Sequence, residues 1–176
     1  MQTNKQIQLP EKYAVIPRVL IFPVNAEGQY LLIEGSPSKK IWPDLWNGLG
    51  GHVEKNESVL QAAHRELQEE SGLQAQTFIF AGQIQIETET NTGIAVFVFL
   101  ARGLSGELKP SEEGELAWKT LDDALELPLV EDLYTLLPLL SNLDASGFPF
   151  WGVYRYDQAN QLVIDFDFGA SPSAET

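Results

Sequence analysis

The sequence contains no cysteine among its 176 residues. A chain without cysteine has no disulfide framework, no thiolate ligand for a metal and no thiol nucleophile. Long apolar runs are also missing, and the opening residues MQTNKQIQLP lack the apolar segment of a secretory signal peptide. We therefore expect a cytoplasmic protein that does not associate with membranes.

Basic residues are scarce, with 11 Lys and Arg against 25 Asp and Glu, for a net charge of −14. This charge disfavours binding to nucleic-acid polymers, which relies on basic patches. It is compatible with a nucleotide, because divalent cations can lie between acidic side chains and a polyphosphate. We expect a small-molecule nucleotide as the partner, and the sequence leaves a monomer and a homodimer both open.

The length and the ordinary composition, 44% hydrophobic and 20% charged, predict one domain with a buried core. We place this domain at residues 13–168, between a flexible N-terminal segment at 1–12 and a flexible tail at 169–176. Strand patterns surround one early helix, and two further helices come late. This order predicts an α+β fold in which helices pack on a mixed β-sheet.

The strand predictions rest on runs of β-branched and aromatic residues between turn signals. The first two strands, around the turn NAEG, are expected to form a hairpin, and so are the last two, around QAN. Late helices are expected at residues 121–128 and 130–143, although Pro138 suits the second poorly. The predicted strands are residues 13–24, 29–35, 49–53, 76–89, 93–103, 114–121, 151–157 and 161–168.

The clearest helix runs from an expected N-cap at Asn56 to Ser71, with Gly72 as the C-terminal breaker. A helix turns by about 100° per residue, so Glu66, Glu69 and Glu70 share one side. They border the predicted buried stripe of the helix. That stripe consists of Val59, Leu60, Ala63 and Leu67.

Three carboxylates so close together repel one another, and partial burial strengthens the repulsion. A hard divalent cation such as Mg²⁺ or Mn²⁺ removes the conflict, because both ions prefer oxygen ligands. The preceding pair Gly50–Gly51 has no side chains, so a backbone carbonyl there can approach the same ion. The simpler alternative is a solvated, glutamate-rich helix.

The full spacing favours the metal site. Residues 46–73 read WNGLGGHVEKNESVLQAAHRELQEESGL, and from Gly51 to Leu73 they follow G-x5-E-x7-R-E-L-x-E-E-x-G-L. This pattern resembles the complete signature of the Nudix hydrolases, with no departure at any fixed position. The resemblance implies an α/β/α sandwich with a mixed β-sheet, in which the signature forms a strand-loop-helix-loop element.

The resemblance also implies roles for individual residues. Glu66, Glu69 and Glu70 would bind divalent metal together with the Gly51 carbonyl, and Arg65 would belong to the catalytic set. Arg65 would form a salt bridge with Glu57 that fixes the loop against the helix. The metal would activate a water for attack on phosphorus, and Glu66 and Glu69 are both candidates for the general base.

A further metal-binding glutamate often precedes a strand tryptophan in this family. Here the segment SEEGELAW offers three carboxylates ahead of Trp118, and Glu112 has the best spacing. Glu113 and Glu115 are the other two, and solvent exposure in an acidic loop is the alternative for Glu112.

The entry to the signature, Trp46-Asn47, resembles that of hydrolases of oxidised purine nucleoside triphosphates, where the Asn binds the base. The pair Glu131-Asp132 falls where those enzymes carry an acidic pair that reads the purine edge. Two departures are the Glu in that pair and Leu129, which stands where an aromatic residue is expected. The alternative for two acids at the start of a helix is a capping role.

Two loop features complete the predicted substrate site. Trp46 or Trp42 would stack on the base, and the alternative is that both anchor the core or a loop. Lys39, with Lys40, would touch the polyphosphate unless both lysines are simply solvated.

These features predict a Mg²⁺- or Mn²⁺-dependent pyrophosphohydrolase that cleaves an oxidised or ordinary purine nucleoside triphosphate to the monophosphate and pyrophosphate. Sanitation of the nucleotide pool would be its role. One alternative is a hydrolase of another nucleoside diphosphate derivative, such as a nucleotide sugar, ADP-ribose or a dinucleoside polyphosphate. The other is a non-catalytic Nudix domain that binds a nucleotide.

Overall fold

The computed structural model describes residues 12–38, 41–111, 113–142 and 149–168. Residues 1–11 of the N-terminal segment predicted at 1–12 fall outside these ranges, and so do the predicted tail at 169–176, Lys39 and Glu112. No helix in the described ranges is long and apolar enough to cross a bilayer.

Among the described residues one helix comes early and two come late, as the sequence patterns predict. The elements are β1 (Ala14–Pro23), β2 (Tyr30–Gly35), β3 (Trp46–Asn47), α1 (Val59–Ser71), β4 (Gln74–Ile86), β5 (Thr92–Ser105), β6 (Gly114–Lys119), α2 (Leu121–Leu125), α3 (Leu133–Ser141), β7 (Phe150–Tyr156) and β8 (Leu162–Phe168).

The strands form two sheets. The larger sheet has the order β1-β5-β4-β7-β8, and the smaller one has the order β3-β2-β6. In the larger sheet β1 is parallel to β5 and β4 is parallel to β7, whereas β4–β5 and β7–β8 are antiparallel. The predicted α+β class with a mixed sheet is confirmed, and so is the hairpin of the last two strands.

The predicted hairpin of the first two strands is wrong. The turn at residues 25–28 forms, but β1 and β2 lie in different sheets. An isolated antiparallel bridge joins Val24, just after β1, to Tyr30 of β2. Alternate side chains of β1 enter two separate cores, so that Ile21 and Phe22 are both fully buried. A strand that is buried on both faces is typical of parallel pairing inside a covered sheet, and β1 pairs in parallel with β5.

The short strand predicted at residues 49–53 is replaced by isolated bridges. Leu49 pairs with Ile21 and His52 pairs with Arg18, both antiparallel to β1, while the regular strand β3 lies earlier, at Trp46–Asn47. The segment from β3 to α1 therefore lies along the outer edge of β1, and it brings the Gly50–Gly51 pair beside the larger sheet.

Two apolar clusters occupy the two sides of the larger sheet. One cluster lies beneath α1 and includes Val19, Leu67 and Phe99. The other lies beneath α2 and α3 and includes Leu133 and Phe150. Helices thus cover both sides of a mixed sheet, which is the predicted sandwich.

Helix α1 differs from its prediction at its start. Ser58, not Asn56, is the N-cap: its side chain accepts from the Gln61 N–H, and Gln61 bonds back to the Ser58 N–H in a capping box. Asn56 lies before the helix with φ 73°. The predicted end is confirmed, because Gly72 caps the helix in the left-handed region, with φ 76°.

The buried side of α1 is also rotated from the predicted stripe. Leu60 is 46% exposed, whereas Ala62, Ala63 and Leu67 are fully buried. Pro138 lies inside α3 despite the poor fit of proline to a helix interior.

Candidate active site

The Gly-Gly turn packs directly on the acidic side of α1. Glu70 Oε2 accepts a hydrogen bond from the Gly50 N–H at 2.8 Å. A Cβ atom added at Gly51 would lie 2.3 Å from Glu66 Oε1. The Gly51 carbonyl accepts from the Val19 N–H at 2.9 Å, and a carbonyl oxygen has a second lone pair for another partner. The two glycines thus let backbone and carboxylates meet without intervening side chains.

The three carboxylates of α1 differ in burial. Glu70 is 7% exposed, and the side chains of Glu66 and Glu69 are 13% and 60% exposed. Glu66 and Glu70 therefore lie deeper than the predicted border of the stripe. Burial raises the pKa of Glu66, the hydrogen bond from Arg65 opposes this rise, and the charges of Glu69 and Glu113 add to it.

Arg65 joins the loop to the carboxylates. Its Nη2 donates to Glu57 Oε1 at 2.8 Å and to the His52 carbonyl at 3.0 Å, and its Nε donates to Glu57 Oε2 at 3.2 Å. Its Nη1 donates to Glu66 Oε1 at 2.8 Å and to Glu69 Oε2 at 3.1 Å. The predicted Glu57–Arg65 salt bridge is present, and the hydrogen bond from Arg65 lowers the pKa of Glu57.

No three acidic or histidine side chains of the described residues converge closely enough to form a ready ligand set. The positive charge between Glu66 and Glu69 is the Arg65 guanidinium. The donor chemistry nevertheless fits a hard cation, because all three groups are carboxylates and Gly51 leaves the space of a Cβ atom beside Glu66. Glu66, Glu69, Glu70 and the Gly51 carbonyl could therefore hold Mg²⁺ or Mn²⁺.

The segment before β6 carries a fourth acidic residue that acts electrostatically on this region. Burial is the main cause of the raised pKa of Glu66, and the charge of the exposed Glu113 adds to it. The Glu113 carbonyl accepts from the Ser36 N–H at 3.1 Å. Glu112, which the spacing in the sequence favours as the metal ligand, lies outside the described residues.

The other half of the candidate site is built on Trp46. The backbone N–H of Trp46 donates to the Pro128 carbonyl at 2.9 Å, and the backbone carbonyl of Trp46 accepts from the Val130 N–H at 3.0 Å. These bonds bring the start of the signature beside the segment that leads to the acidic pair. The Trp46 side chain is only 7% exposed, and Lys119 Nζ lies 5.3 Å from its ring centroid, so it is a core residue and not an open stacking surface. Trp42 is 45% exposed.

Asn47 and the acidic pair lie at the ends of these two segments. Asn47 is half-buried, and its Oδ1 accepts from the Gly48 N–H at 2.8 Å. Glu131 is exposed, whereas Asp132 is half-buried at the N-cap position of α3. The Asp132 side chain makes no capping hydrogen bond, so the capping alternative lacks its usual contact.

Burial raises the pKa of Asp132 to about 6, the nearby Tyr154 hydroxyl lowers it, and the charge of Glu131 adds to the rise. Tyr154 was not found from the sequence. It lies in β7, is 3% exposed, and its hydroxyl has no hydrogen bond of ordinary geometry among the described residues. Alternation in β7 points Tyr154 inward, but only the tertiary fold sets it beside Asp132.

The chain is similar to known proteins in sequence. The sequence profile of the NUDIX domain matches residues 15–140. The oxidized purine nucleoside triphosphate hydrolase of Danio rerio is 41% identical over 121 residues, which are 68% of this chain and 74% of that protein. Phosphatase NudJ of Escherichia coli strain K12 is 45% identical over 53 residues, which are 30% of this chain and 33% of NudJ.

Solved structures share the fold. The MutT protein of Bacillus halodurans superposes with a TM-score of 0.68 at 25% identity, over 89% of this chain and 99% of that one. The Escherichia coli ORF135 protein superposes with a TM-score of 0.63 at 30% identity, over 76% and 93% of the two chains.

Proposed function

Because the chain belongs to the Nudix family and is a Nudix hydrolase, we propose that it cleaves a purine nucleoside triphosphate, oxidised or ordinary, to the monophosphate and pyrophosphate. The name of the Danio rerio relative supports an oxidised purine, and hydrolysis of such a nucleotide would remove a damaged precursor from the pool. The match to NudJ covers a third of that protein and supports no particular substrate.

One observation carries the proposal: residues 46–51 connect the carboxylate helix to the acidic pair. At one end of this segment the Gly50 N–H binds Glu70, and at the other end Trp46 binds the backbone on both sides of Leu129. A nucleotide that follows the segment would present its phosphates to α1 and its base to Asp132. This arrangement suits a nucleoside triphosphate, because its phosphates need a metal site and its base needs hydrogen-bond acceptors.

At the phosphate end, Glu66, Glu69 and Glu70 with the Gly51 carbonyl would hold Mg²⁺ or Mn²⁺, and Glu113 would add a further carboxylate. When bound, the metal offsets phosphate charge and lowers the pKa of a coordinated water. Arg65 orients Glu66 and Glu69 through its Nη1. One of these two carboxylates accepts the proton of the attacking water.

At the base end, Asp132 supplies an acceptor and Asn47 supplies an amide that can both donate and accept. Purines with a ring N–H match such an acceptor. A half-buried polar group also discriminates, because a base that leaves it unpaired is bound at a cost. Trp46 and Leu129 contribute a packed wall and not a stacking surface.

A substrate panel tests this proposal. Phosphate and pyrophosphate release would be measured with ordinary and oxidised purine triphosphates, pyrimidine triphosphates, nucleotide sugars, ADP-ribose and dinucleoside polyphosphates, in Mg²⁺ and in EDTA. We expect purine triphosphates to have the highest kcat/KM, and EDTA to abolish turnover. Hydrolysis of nucleotide sugars alone would refute the substrate assignment, and nucleotide binding without any turnover would favour the non-catalytic alternative.

The metal assignment has its own variant. In Glu69→Gln with Glu70→Gln, the amide oxygen introduced at position 70 can still accept from the Gly50 N–H, so the fold should persist while hydrolysis is lost. Replacing Glu87 and Glu89, two exposed carboxylates, by glutamine removes the same charge and should leave hydrolysis unchanged. Normal turnover in the first double variant would disprove the assignment.

A further inference from the structure

A buried tyrosine hydroxyl lies beside the proposed base site. Tyr154 is 3% exposed, and its ring packs edge-to-face on Phe166 with centroids 6.1 Å apart. Its strand places it between Ile86 of β4 and Ile164 of β8. The hydroxyl has no hydrogen bond of ordinary geometry among the described residues. Buried polar groups are nearly always paired, so this one needs an explanation.

The group that the hydroxyl faces is the Asp132 carboxylate. Tyr154 belongs to the same buried cluster as Leu133, the residue after Asp132, and as Val130. Burial raises the pKa of both groups, and the two groups also interact electrostatically. The Asp132 backbone is anchored, because its carbonyl accepts from the N–H groups of Thr135 and Leu136 at 3.0 and 2.9 Å. Its side chain, in contrast, makes no capping bond to α3.

We propose that Tyr154 is a positioning residue for base recognition: its hydroxyl donates to one oxygen of Asp132 when a purine binds, and the other oxygen then accepts from a ring N–H of the base. This inference rests on the proposed function and names the base it selects. The selected bases carry a ring N–H beside a carbonyl, as hypoxanthine, guanine and 8-oxopurines do. A purine without a ring N–H has nothing to donate to the positioned oxygen.

The physical reason for a separate positioning group is orientation. A carboxylate that receives one hydrogen bond from a fixed donor keeps its charge and its direction, and charge-assisted hydrogen bonds are stronger than neutral ones. Glu131 lies next to Asp132 in the chain, but an ionised carboxylate only accepts hydrogen bonds and so supplies no such donor. The tyrosine ring cannot move far, because β4 and β8 flank its strand.

Stability separates positioning from a purely structural role. A hydroxyl that already made a good buried hydrogen bond would stabilise the fold, and its removal would lower the free energy of unfolding. A hydroxyl with no hydrogen bond of ordinary geometry among the described residues contributes little to the stability of the free protein. Tyr154→Phe should therefore leave the unfolding midpoint unchanged or higher while it weakens recognition of the base.

The experiment compares Tyr154→Phe with wild type on two triphosphates. Inosine triphosphate has a ring N–H beside a carbonyl, and purine riboside triphosphate lacks both groups. We expect KM for inosine triphosphate to rise about tenfold, with kcat within about twofold, because one charge-assisted hydrogen bond is lost. The kinetics of purine riboside triphosphate should stay the same. Tyr156→Phe, at an exposed tyrosine of the same strand, is the matched control and should resemble wild type.

A double-mutant cycle tests whether the effect passes through Asp132. In an Asp132→Asn background, Tyr154→Phe should have little additional effect on the KM for inosine triphosphate. Additive effects would overturn the inference, and so would an equal rise in KM for both substrates together with a lower unfolding midpoint. If wild type prefers inosine triphosphate and Tyr154→Phe retains that preference, the inference fails and the proposed function stands. If wild type hydrolyses no purine triphosphate, both fail.

Discussion

Gly51 must lack a side chain because Glu66 of α1 lies against it. A Cβ atom there would lie 2.3 Å from Glu66 Oε1 and 2.7 Å from the carboxyl carbon. Both distances are far inside van der Waals contact, so any side chain would displace the carboxylate. The requirement for glycine at this position therefore comes from Glu66.

Gly51→Ala should lower hydrolytic activity strongly, on the order of 100-fold, because a misplaced catalytic group can lose that much rate. The assay is kcat/KM for the best substrate of the panel. Gly28→Ala is the control, since φ is 80° there but no atom lies within 4 Å of the added Cβ. It should destabilise the protein by about 1 kcal/mol and retain full activity. Full activity in Gly51→Ala would show that Glu66 can move without consequence.

The N-cap of helix α1 is Ser58, two residues later than predicted. Asn56, the predicted N-cap, and Ser58, the observed one, both belong to the class of residues that N-caps prefer. Ser58 has extended backbone angles, φ −83° and ψ 162°, as an N-cap requires. Asn56 instead occupies the left-handed region, where asparagine is one of the few tolerated residues. The salt bridge from Arg65 in the helix to Glu57 holds the residue just before Ser58 against the helix.

Ser58→Ala should lower the free energy of unfolding by about 1 kcal/mol, because the Gln61 N–H loses its capping partner. Asn56→Gly should leave stability nearly unchanged, since glycine adopts a positive φ readily. Urea denaturation of both variants measures the difference. A larger loss in Asn56→Gly than in Ser58→Ala would contradict the cap assignment.

The whole molecule carries a net charge of −14, and part of that charge is held near α1 in partly buried carboxylates. Repulsion among these charges destabilises the folded state, and a bound divalent cation would relieve it locally. Monovalent salt relieves it only by general screening, which acts most on exposed charges. Specific binding and screening therefore predict different responses to the two kinds of salt.

MgCl₂ should raise the thermal unfolding midpoint more than NaCl at the same ionic strength, because a ligand that binds only the folded state stabilises it. The additional shift should disappear in Glu69→Gln with Glu70→Gln and persist in Glu87→Gln with Glu89→Gln. Differential scanning calorimetry measures all three proteins. Equal shifts in the two salts would mean that the folded protein has no specific magnesium site.

Much of this architecture follows from local patterns. The period of a helix places Glu66, Glu69 and Glu70 on one side, and the spacing of the signature pairs Glu57 with Arg65, because both depend on residues close in the chain. Long-range partners do not follow in this way. The pairing of β1 with β5 joins Ala14 to Thr92 across most of the domain, so the nearer strand was the natural but wrong choice.

The sequence by itself determined the family through its signature. It also determined the acidic helix and its ion pair, because the regular period of a helix brings residues close in the chain onto one side. Only the tertiary structure decided which carboxylates are buried, that Trp46 belongs to the core, and that Tyr154 faces Asp132. Burial and contact between distant segments depend on how two sheets and three helices pack together, and no short stretch of sequence contains that information.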